Sequence, residues 1–366
     1  MLEFDFWQRC ETVRQLLNWA MPDPGRILDV GGYPGRLRSI IPQHEWVICD
    51  PRVDAPGEQV QGDAAHLPFR DESFDFAASL DVLEHIAQED RESVLEEMLR
   101  VSRQGLILTF PAGHPLTASA EDKVCQVYKQ LHGKEHPWLA EHARQPLPDA
   151  DEIVQFLLSH GGQAAVFDVG ETARWVYLQC LDILLEALPE SLDFAEEIDR
   201  LYQENLYIHD FKAPAYRKVI LYMMHEENPI SLSMIETSPD EQAADLLEFH
   251  QKTASGLLDL IQKKTPPSPA AASEPEREKE APEEESQTKE SKEELGEPSV
   301  WEKMNPREAD EYIARLEAGV QAWEKTYKIA LDEVADMYRW RDRLEQRRSF
   351  RLYKRIMRLL GARIEP

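Results

Sequence analysis

Arg26-Ile27-Leu28-Asp29-Val30-Gly31-Gly32-Tyr33-Pro34-Gly35-Arg36-Leu37 is the stretch on which the reading of the whole chain turns. Residues 27–30 form a short apolar run of the kind carried by a strand buried on both faces. Gly31-Gly32 breaks the run, and residues 36–41 read as the start of a helix. A strand, a glycine turn and a helix N-terminus together make a pocket for a nucleotide-like ligand. Glycines let the backbone approach closely, and the helix end offers unpaired N–H groups. A plain turn without a ligand carries the same Gly-Gly pair, so the flanking sequence has to decide.

Upstream, residues 2–20 predict a helix with Phe6, Cys10, Val13, Leu17 and Ala20 on one stripe. Met21-Pro22-Asp23-Pro24-Gly25 stops it. Downstream, residues 45–49 predict a second strand ending in Asp50-Pro51. Asp50 stands where α/β nucleotide-binding folds place an acid that accepts hydrogen bonds from ribose hydroxyls. An acid after a strand also serves as an ordinary turn or cap residue. Residues 59–64 predict a third strand ending at Asp63, and residues 73–79 a fourth, followed by Asp81-Val82-Leu83-Glu84-His85-Ile86. Residues 91–101 are helical by the spacing of Val94, Leu95, Met98 and Leu99, and residues 105–110 give a fifth strand closed by Pro111. Strands and helices alternating at these lengths imply a parallel sheet with right-handed crossovers. Ligands then lie at the carboxyl ends of the strands, where Gly31, Asp50, Asp63 and Asp81 all fall.

Asp29-Val30-Gly31-Gly32-Tyr33-Pro34-Gly35, Asp50, Gly62-Asp63-Ala64 with Leu67-Pro68-Phe69, and Ser73-Phe74-Asp75 followed by Val82-Leu83-Glu84-His85 resemble the ordered motifs of S-adenosylmethionine-dependent methyltransferases. The likeness is to the class I, Rossmann-like group that contains ubiquinone-biosynthesis and small-molecule enzymes, and it covers residues 1–226. The resemblance implies an α/β fold: a seven-stranded sheet with helices on both faces, its last two strands a hairpin and the seventh antiparallel. It implies S-adenosyl-L-methionine as cofactor. Gly31 and Gly35 would border the methionine part, Asp50 would hold the ribose and Asp63 the adenine amino group, with Asp29, Gly32, Ala64 and Leu80 completing the set. The chain departs from the family at Tyr33, where the central glycine of the loop usually stands, the extra glycine having moved to Gly32. The same residue breaks the GxGxxG pattern of an NAD site.

Methyl transfer from a sulfonium is an in-line displacement, so the protein's main task is to align nucleophile and methyl carbon in a dry pocket. A hydroxyl or amine acceptor also benefits from a base. His85, at the end of the fourth strand, is the first candidate because it titrates near neutrality; a structural histidine at the head of a helix is the competing reading. His114 is a second candidate, and Glu84 reads as a helix-start residue. No cluster with metal-ligand spacing stands out.

After Pro111, residues 137–149 read as a polar loop, 151–159 as a helix, 163–169 as a strand and 216–224 as the final strand. About 45 residues separate these two strands and include an apolar helix near 175–188. That insertion either covers the active site and selects the substrate or packs on the sheet edge.

The 366 residues carry a net charge of −28, which argues against general affinity for nucleic acid. Four scattered cysteines form no CxxC pair, no apolar run reaches the ~18 residues of a membrane span, and no basic, apolar leader opens the chain. These features predict a cytoplasmic protein. Residues 227–264 predict a helical extension, its amphipathic part at 242–261, with His250 a seam residue on the apolar stripe. Residues 265–300 predict a disordered acidic linker. Within 301–366, Ile313, Val320, Tyr327, Val334 and Arg341 alternate with Leu316, Trp323, Ala330, Met337 and Leu344 as coiled-coil heptads, a helical hairpin being the alternative. The last part is a basic amphipathic tail, with ten Arg/Lys against Asp342 and Glu345 over residues 339–363. The expected partners are a small-molecule, saccharide or lipid-linked acceptor methylated on oxygen, a second copy through the coiled coil, and an anionic membrane surface at the inner face. A catalytically silent methyltransferase-like scaffold acting through its coiled coil is the rival reading, and a nucleotide-sugar or NAD enzyme a third.

Overall fold

The computed structural model describes residues 3–53, 59–186 and 191–225, together with Ile230, Met234, Ile235, Thr237, Phe249, Lys252 and Thr253. The readings of the linker, the heptads and the basic tail lie outside the described residues, as does most of the 242–261 segment.

Seven strands are described: β1 (Arg26–Val30), β2 (Glu45–Asp50), β3 (Gln59–Gln61), β4 (Phe74–Leu80), β5 (Ser102–Pro111), β6 (Gln163–Glu171) and β7 (Ala215–Met223). They form one sheet in the order β3-β2-β1-β4-β5-β7-β6. The first five pair in parallel, and β7 lies antiparallel between β5 and β6. The hairpin implied by the resemblance is therefore present, with β7 reversed. Central strands alternate between two covered faces, as a doubly wound sheet requires. Ile27, Phe76, Ile107 and Val219 pack with α1 (Phe4–Ala20), whereas Leu28, Ala77, Leu106 and Ile220 pack with α3 (Arg91–Val101) and α6 (Ala150–Ser159).

Three helical readings are corrected. The helix after the glycine loop, α2, spans only Leu37–Ile40, a single turn. The polar loop contains one helical turn, α5 (Leu139–His142), which docks on the segment after β4. The stripe assigned to α1 is too narrow: Phe6 is half-buried, while Gln8 and Thr12 are buried. Those two polar side chains are buried because the insertion supplies partners. Gln8 Nε2 donates to Asp210 Oδ2 (2.9 Å), and Thr12 Oγ1 meets the Tyr207 hydroxyl (3.1 Å).

One long helix was not read from the sequence, α4 (Pro115–His132), with proline in its first turn and Gly133 in the left-handed cap (φ 68°). It packs on α7 (Thr172–Glu186), the apolar helix of the insertion, and these join α8 (Leu192–Leu201) in a separate apolar cluster with Phe4, Tyr202 and Tyr216. The start of α1 and the start of β7 both lie at the carboxyl edge of the parallel strands. The insertion therefore caps that edge rather than a face of the sheet. The Trp175 ring stacks flat on Tyr216 with centroids 3.5 Å apart, which fastens α7 to β7.

Candidate active site

The carboxyl ends of β1 and β2 bring the glycine loop and two acids together. Gly31 (φ 75°) and Gly35 (φ 93°) take conformations that L side chains rarely adopt, and a Cβ on Gly32 would fall 2.0 Å from the Asp29 carboxylate. The loop backbone is thus pressed onto Asp29. Burial first, then the charge of Asp50, pushes the Asp29 carboxyl up to about 7. A raised folded-state pKa means that Asp29 holds a proton in the native state which the unfolded chain releases above about pH 4. Its contribution to stability accordingly falls as pH rises from about 4 to 7. Asp29→Asn should flatten this part of the stability–pH curve, as read by urea unfolding at pH 5 and pH 8; an unchanged slope would contradict it.

Asp50 is buried at the tip of β2. Its Oδ1 accepts from the Arg52 N–H at 2.8 Å and its Oδ2, at 3.4 Å, from the Tyr33 N–H. Arg52 lies over the Tyr33 ring, 4.9 Å from its centroid. Tyr33, the departure from the family pattern, therefore forms with Arg52 a flap over the carboxylate. The long Tyr33 contact leaves Oδ2 with accepting capacity for a hydroxyl. Asp63 is placed differently: its carboxylate is exposed and caps its own turn by accepting from the Ala65 N–H at 3.0 Å. Ala64 and Leu80 are half-buried.

At the end of β4 the chain turns sharply at Asp81 (φ 54°) into a short 3-10 turn, Leu83–His85. Asp81 serves an ionic cluster. It pairs with Arg217 of β7 (2.6 Å) and Arg9 of α1 (2.9 Å) and accepts from Thr109 (2.8 Å). Arg217, with 1% of its side chain exposed, also meets Asp5 and Gln8. Burial would raise the Asp81 carboxyl, but the charges of Arg217 and Arg9 outweigh it and hold the group well below the usual carboxylate range. A second buried pair, Arg174 with Asp210, adjoins this cluster through Gln8 and Tyr202.

His85 stands at the other end of the turn. Its Nδ1 is 3.1 Å from Glu141 Oε2, and its ring lies 5.1 Å from that of His142 and 6.4 Å from that of Trp138, which is exposed. Burial, then the nearby His142, lowers its pKa against the opposing pull of Glu141. His142 is itself buried, and its Nδ1 meets Glu121 Oε1 of α4 at 2.8 Å, an atom that also accepts from the Tyr216 hydroxyl at 2.9 Å. Glu84, read as a helix-start residue, is 1% exposed, and burial first and then Asp81 raises its carboxyl well above the usual range. His114 is exposed and caps α4 by accepting from the Leu116 N–H at 3.1 Å.

A cavity of about 850 Å³ opens between α4 and α5, just beyond the end of β5. Gly113, His114, Glu121, His136, Leu139 and His142 lie on its wall. Two regions thus lie beyond the carboxyl ends of the parallel strands: the glycine loop with Asp50 after β1 and β2, and, after β5, the cavity whose wall includes His142, the ring neighbour of His85. Glu121, His142 and Arg217 were not read as site residues. The partners of Glu121 and of Arg217 come from distant parts of the chain, so no local spacing marks them.

Residues 46–110, from β2 to the end of β5, match the family model of a methyltransferase domain. The glycine loop lies just outside that match. A curated relative, the tRNA (carboxymethyluridine(34)-5-O)-methyltransferase of Arabidopsis thaliana, is 33% identical over 94 residues, which is 24% of this chain and 23% of the relative. The chain therefore matches about a quarter of that protein's length. Among solved structures, a SAM-dependent methyltransferase of Thermotoga maritima is 15% identical (61% of this chain, 93% of the other, TM-score 0.37). A Burkholderia thailandensis 1,6-didemethyltoxoflavin-N1-methyltransferase, solved with S-adenosylhomocysteine and its substrate, is 14% identical (60% and 80%, TM-score 0.34). The strand order with its reversed β7 is a Rossmann-like arrangement, and the segment from β2 to β5 within it is the part that matches the methyltransferase-domain model.

Proposed function

We propose that this domain transfers a methyl group from S-adenosylmethionine to a small-molecule acceptor held in the cavity between α4 and α5. The observation that carries the reading is the placement, all beyond the carboxyl ends of the parallel strands, of a strained glycine loop, a buried acid at the tip of β2 and a histidine-walled cavity. The residues fit the cofactor: the loop has no room for a Cβ at Gly32, and Asp50 Oδ2 can accept from a ribose hydroxyl. Gly31, Gly32, Gly35 and Asp50 would hold it, Leu80 would line the apolar side, and the cofactor supplies an electrophilic methyl carbon when bound. Asp63, exposed at its turn, would reach the adenine amino group only from the rim.

The protein's own part is to position and to accept a proton. Glu141 and Trp138 flank the His85 ring, and its Nε2 would take the proton of an acceptor hydroxyl. An oxygen acceptor suits this arrangement, since a hydroxyl must lose its proton on methylation. Saccharide and lipid-linked acceptors fall within that class. The curated relative is named for a tRNA substrate, but a chain of net charge −28 disfavours a polyanion. Among the described residues no helix is long and apolar enough to cross a membrane, and inner-face membrane attachment and self-association through residues 301–366 are part of this proposal only.

The test is to incubate the full chain with S-adenosylmethionine and fractionated small metabolites and to follow S-adenosylhomocysteine by mass spectrometry. Acceptor-dependent product that vanishes after deproteinised RNA is substituted for metabolites supports the reading. Product with RNA alone, or with neither, contradicts it.

A further inference from the structure

We propose that Glu84, His85 and His142 form a binding site for a divalent transition-metal ion. One carboxylate oxygen and two ring nitrogens from these residues lie within 4.8 Å of one another. Glu84 and His142 are 1% and 7% exposed, and Glu84 Oε2 and His142 Nε2 have no hydrogen-bond partner. Unpartnered buried polar atoms on two members of one such cluster are unusual, because each forfeits its hydration with nothing in return. A cation between them would satisfy both.

The surroundings are built as an outer shell. His142 Nδ1 meets the Glu121 carboxylate at 2.8 Å, and Glu121 is in turn held by the Tyr216 hydroxyl. His85 Nδ1 meets Glu141 at 3.1 Å. In both rings Nδ1–H is placed to donate to the carboxylate, which leaves the Nε2 lone pair for a metal; ligating histidines are oriented in this way. The backbone that carries Glu84 and His85 is clamped as well. Gln145 Nε2 donates to the Glu84 carbonyl at 2.7 Å, and Arg91 Nε donates to the carbonyls of Leu83 and Ile86.

The donor set chooses the ion. Two imidazoles and one carboxylate suit zinc, cobalt, nickel or ferrous iron, whereas magnesium and calcium prefer oxygen donors. Metal–ligand distances of about 2.0–2.2 Å require donors that now lie up to 4.8 Å apart to draw together on an ion. His85 is partly exposed, so coordination positions remain on the side that faces solvent and Trp138. The site stands independently of methyl transfer. Where that reading also holds, His85 acts through the ion and not as a free base.

The experiment strips the full chain with a chelator, titrates it with Co²⁺ and follows the visible ligand-field absorption, without methyl donor or acceptor. Wild type should bind one equivalent that Zn²⁺ displaces and Mg²⁺ does not. His142→Ala and His85→Gln should each abolish the band or weaken binding more than about tenfold, and Glu121→Gln should weaken it about 10–100-fold. His85→Gln, at the rim, keeps the test valid if a buried replacement unfolds the protein, which circular dichroism would reveal. No saturable Co²⁺ band in wild type overturns the proposal. Saturable binding unchanged by His142→Ala and His85→Gln overturns it too, since the ion then sits elsewhere on this acidic chain.

Discussion

Asp81→Ala is expected to lower the unfolding free energy by about 3–5 kcal/mol, the range for removing one partner of a buried ion pair. Arg217, almost wholly enclosed, would lose its shortest contact and keep only Asp5 and Gln8, which approach no closer than 3.3 Å. The loss comes less from missing attraction than from a guanidinium left buried without adequate compensation. The double variant Asp81→Leu/Arg217→Met should therefore recover much of the deficit, because it removes both charges together. The sign of the pH dependence follows from the depressed carboxyl. The Asp81 contribution is present above the unfolded value near 4 and is lost as pH falls below it. Urea unfolding at pH 7 reads the effect. A change under about 1 kcal/mol in Asp81→Ala would mean that the cluster is solvated and that the description of it as buried is wrong.

His85→Gln is expected to reduce turnover by ~10²–10⁴-fold while the affinity for S-adenosylmethionine stays near wild type. The motivation is position: His85 ends the turn after β4, tied to Glu141 of α5 and beside the ring of His142, which lies on the cavity wall, whereas the cofactor loop belongs to β1. Glutamine keeps hydrogen-bonding capacity and approximate size but supplies neither a base nor an imidazole ligand. Single-turnover formation of S-adenosylhomocysteine, once an acceptor is in hand, separates chemistry from binding. A rate within a few-fold of wild type would assign His85 to holding the turn. A loss of cofactor affinity in the same variant would move it to the cofactor side.

The parts of the fold that were legible in the sequence are those whose cause is local. The run before Gly31, the strand ending at Asp50 and the helix Arg91–Val101 each bury residues at their own characteristic period, so pattern alone locates them. α4 carries the same kind of signal in Ala120, Val124 and Val127, framed by Pro115 and Gly133, but Glu121, Asp122 and Lys123 interrupt it. Glu121 is buried nonetheless, since His142 and Tyr216 meet it there. The same holds for Gln8 and Thr12, whose partners lie about two hundred residues away. Polar burial depends on who arrives from elsewhere in the chain, and periodicity is silent about that. Asp81 shows the limit most clearly. By position it is one of three acids, with Asp50 and Asp63, at strand ends where a ligand lies, and the fold uses it to neutralise Arg217 and Arg9. Asp50, by contrast, lies where the spacing put it, although the Tyr33–Arg52 flap over it was not foreseen.

The central claim, that the glycine loop and Asp50 form an S-adenosylmethionine site, is tested most directly by isothermal titration of the full chain and of Asp50→Ala with that cofactor. Hydrogen bonds from ribose hydroxyls to a charged acceptor are worth about 1.5–3 kcal/mol, so Asp50→Ala should bind roughly 10–150-fold more weakly, with NAD giving no heat in either protein. Equal affinity in the two proteins with the fold intact by circular dichroism, or tighter binding of NAD than of S-adenosylmethionine, would contradict the account.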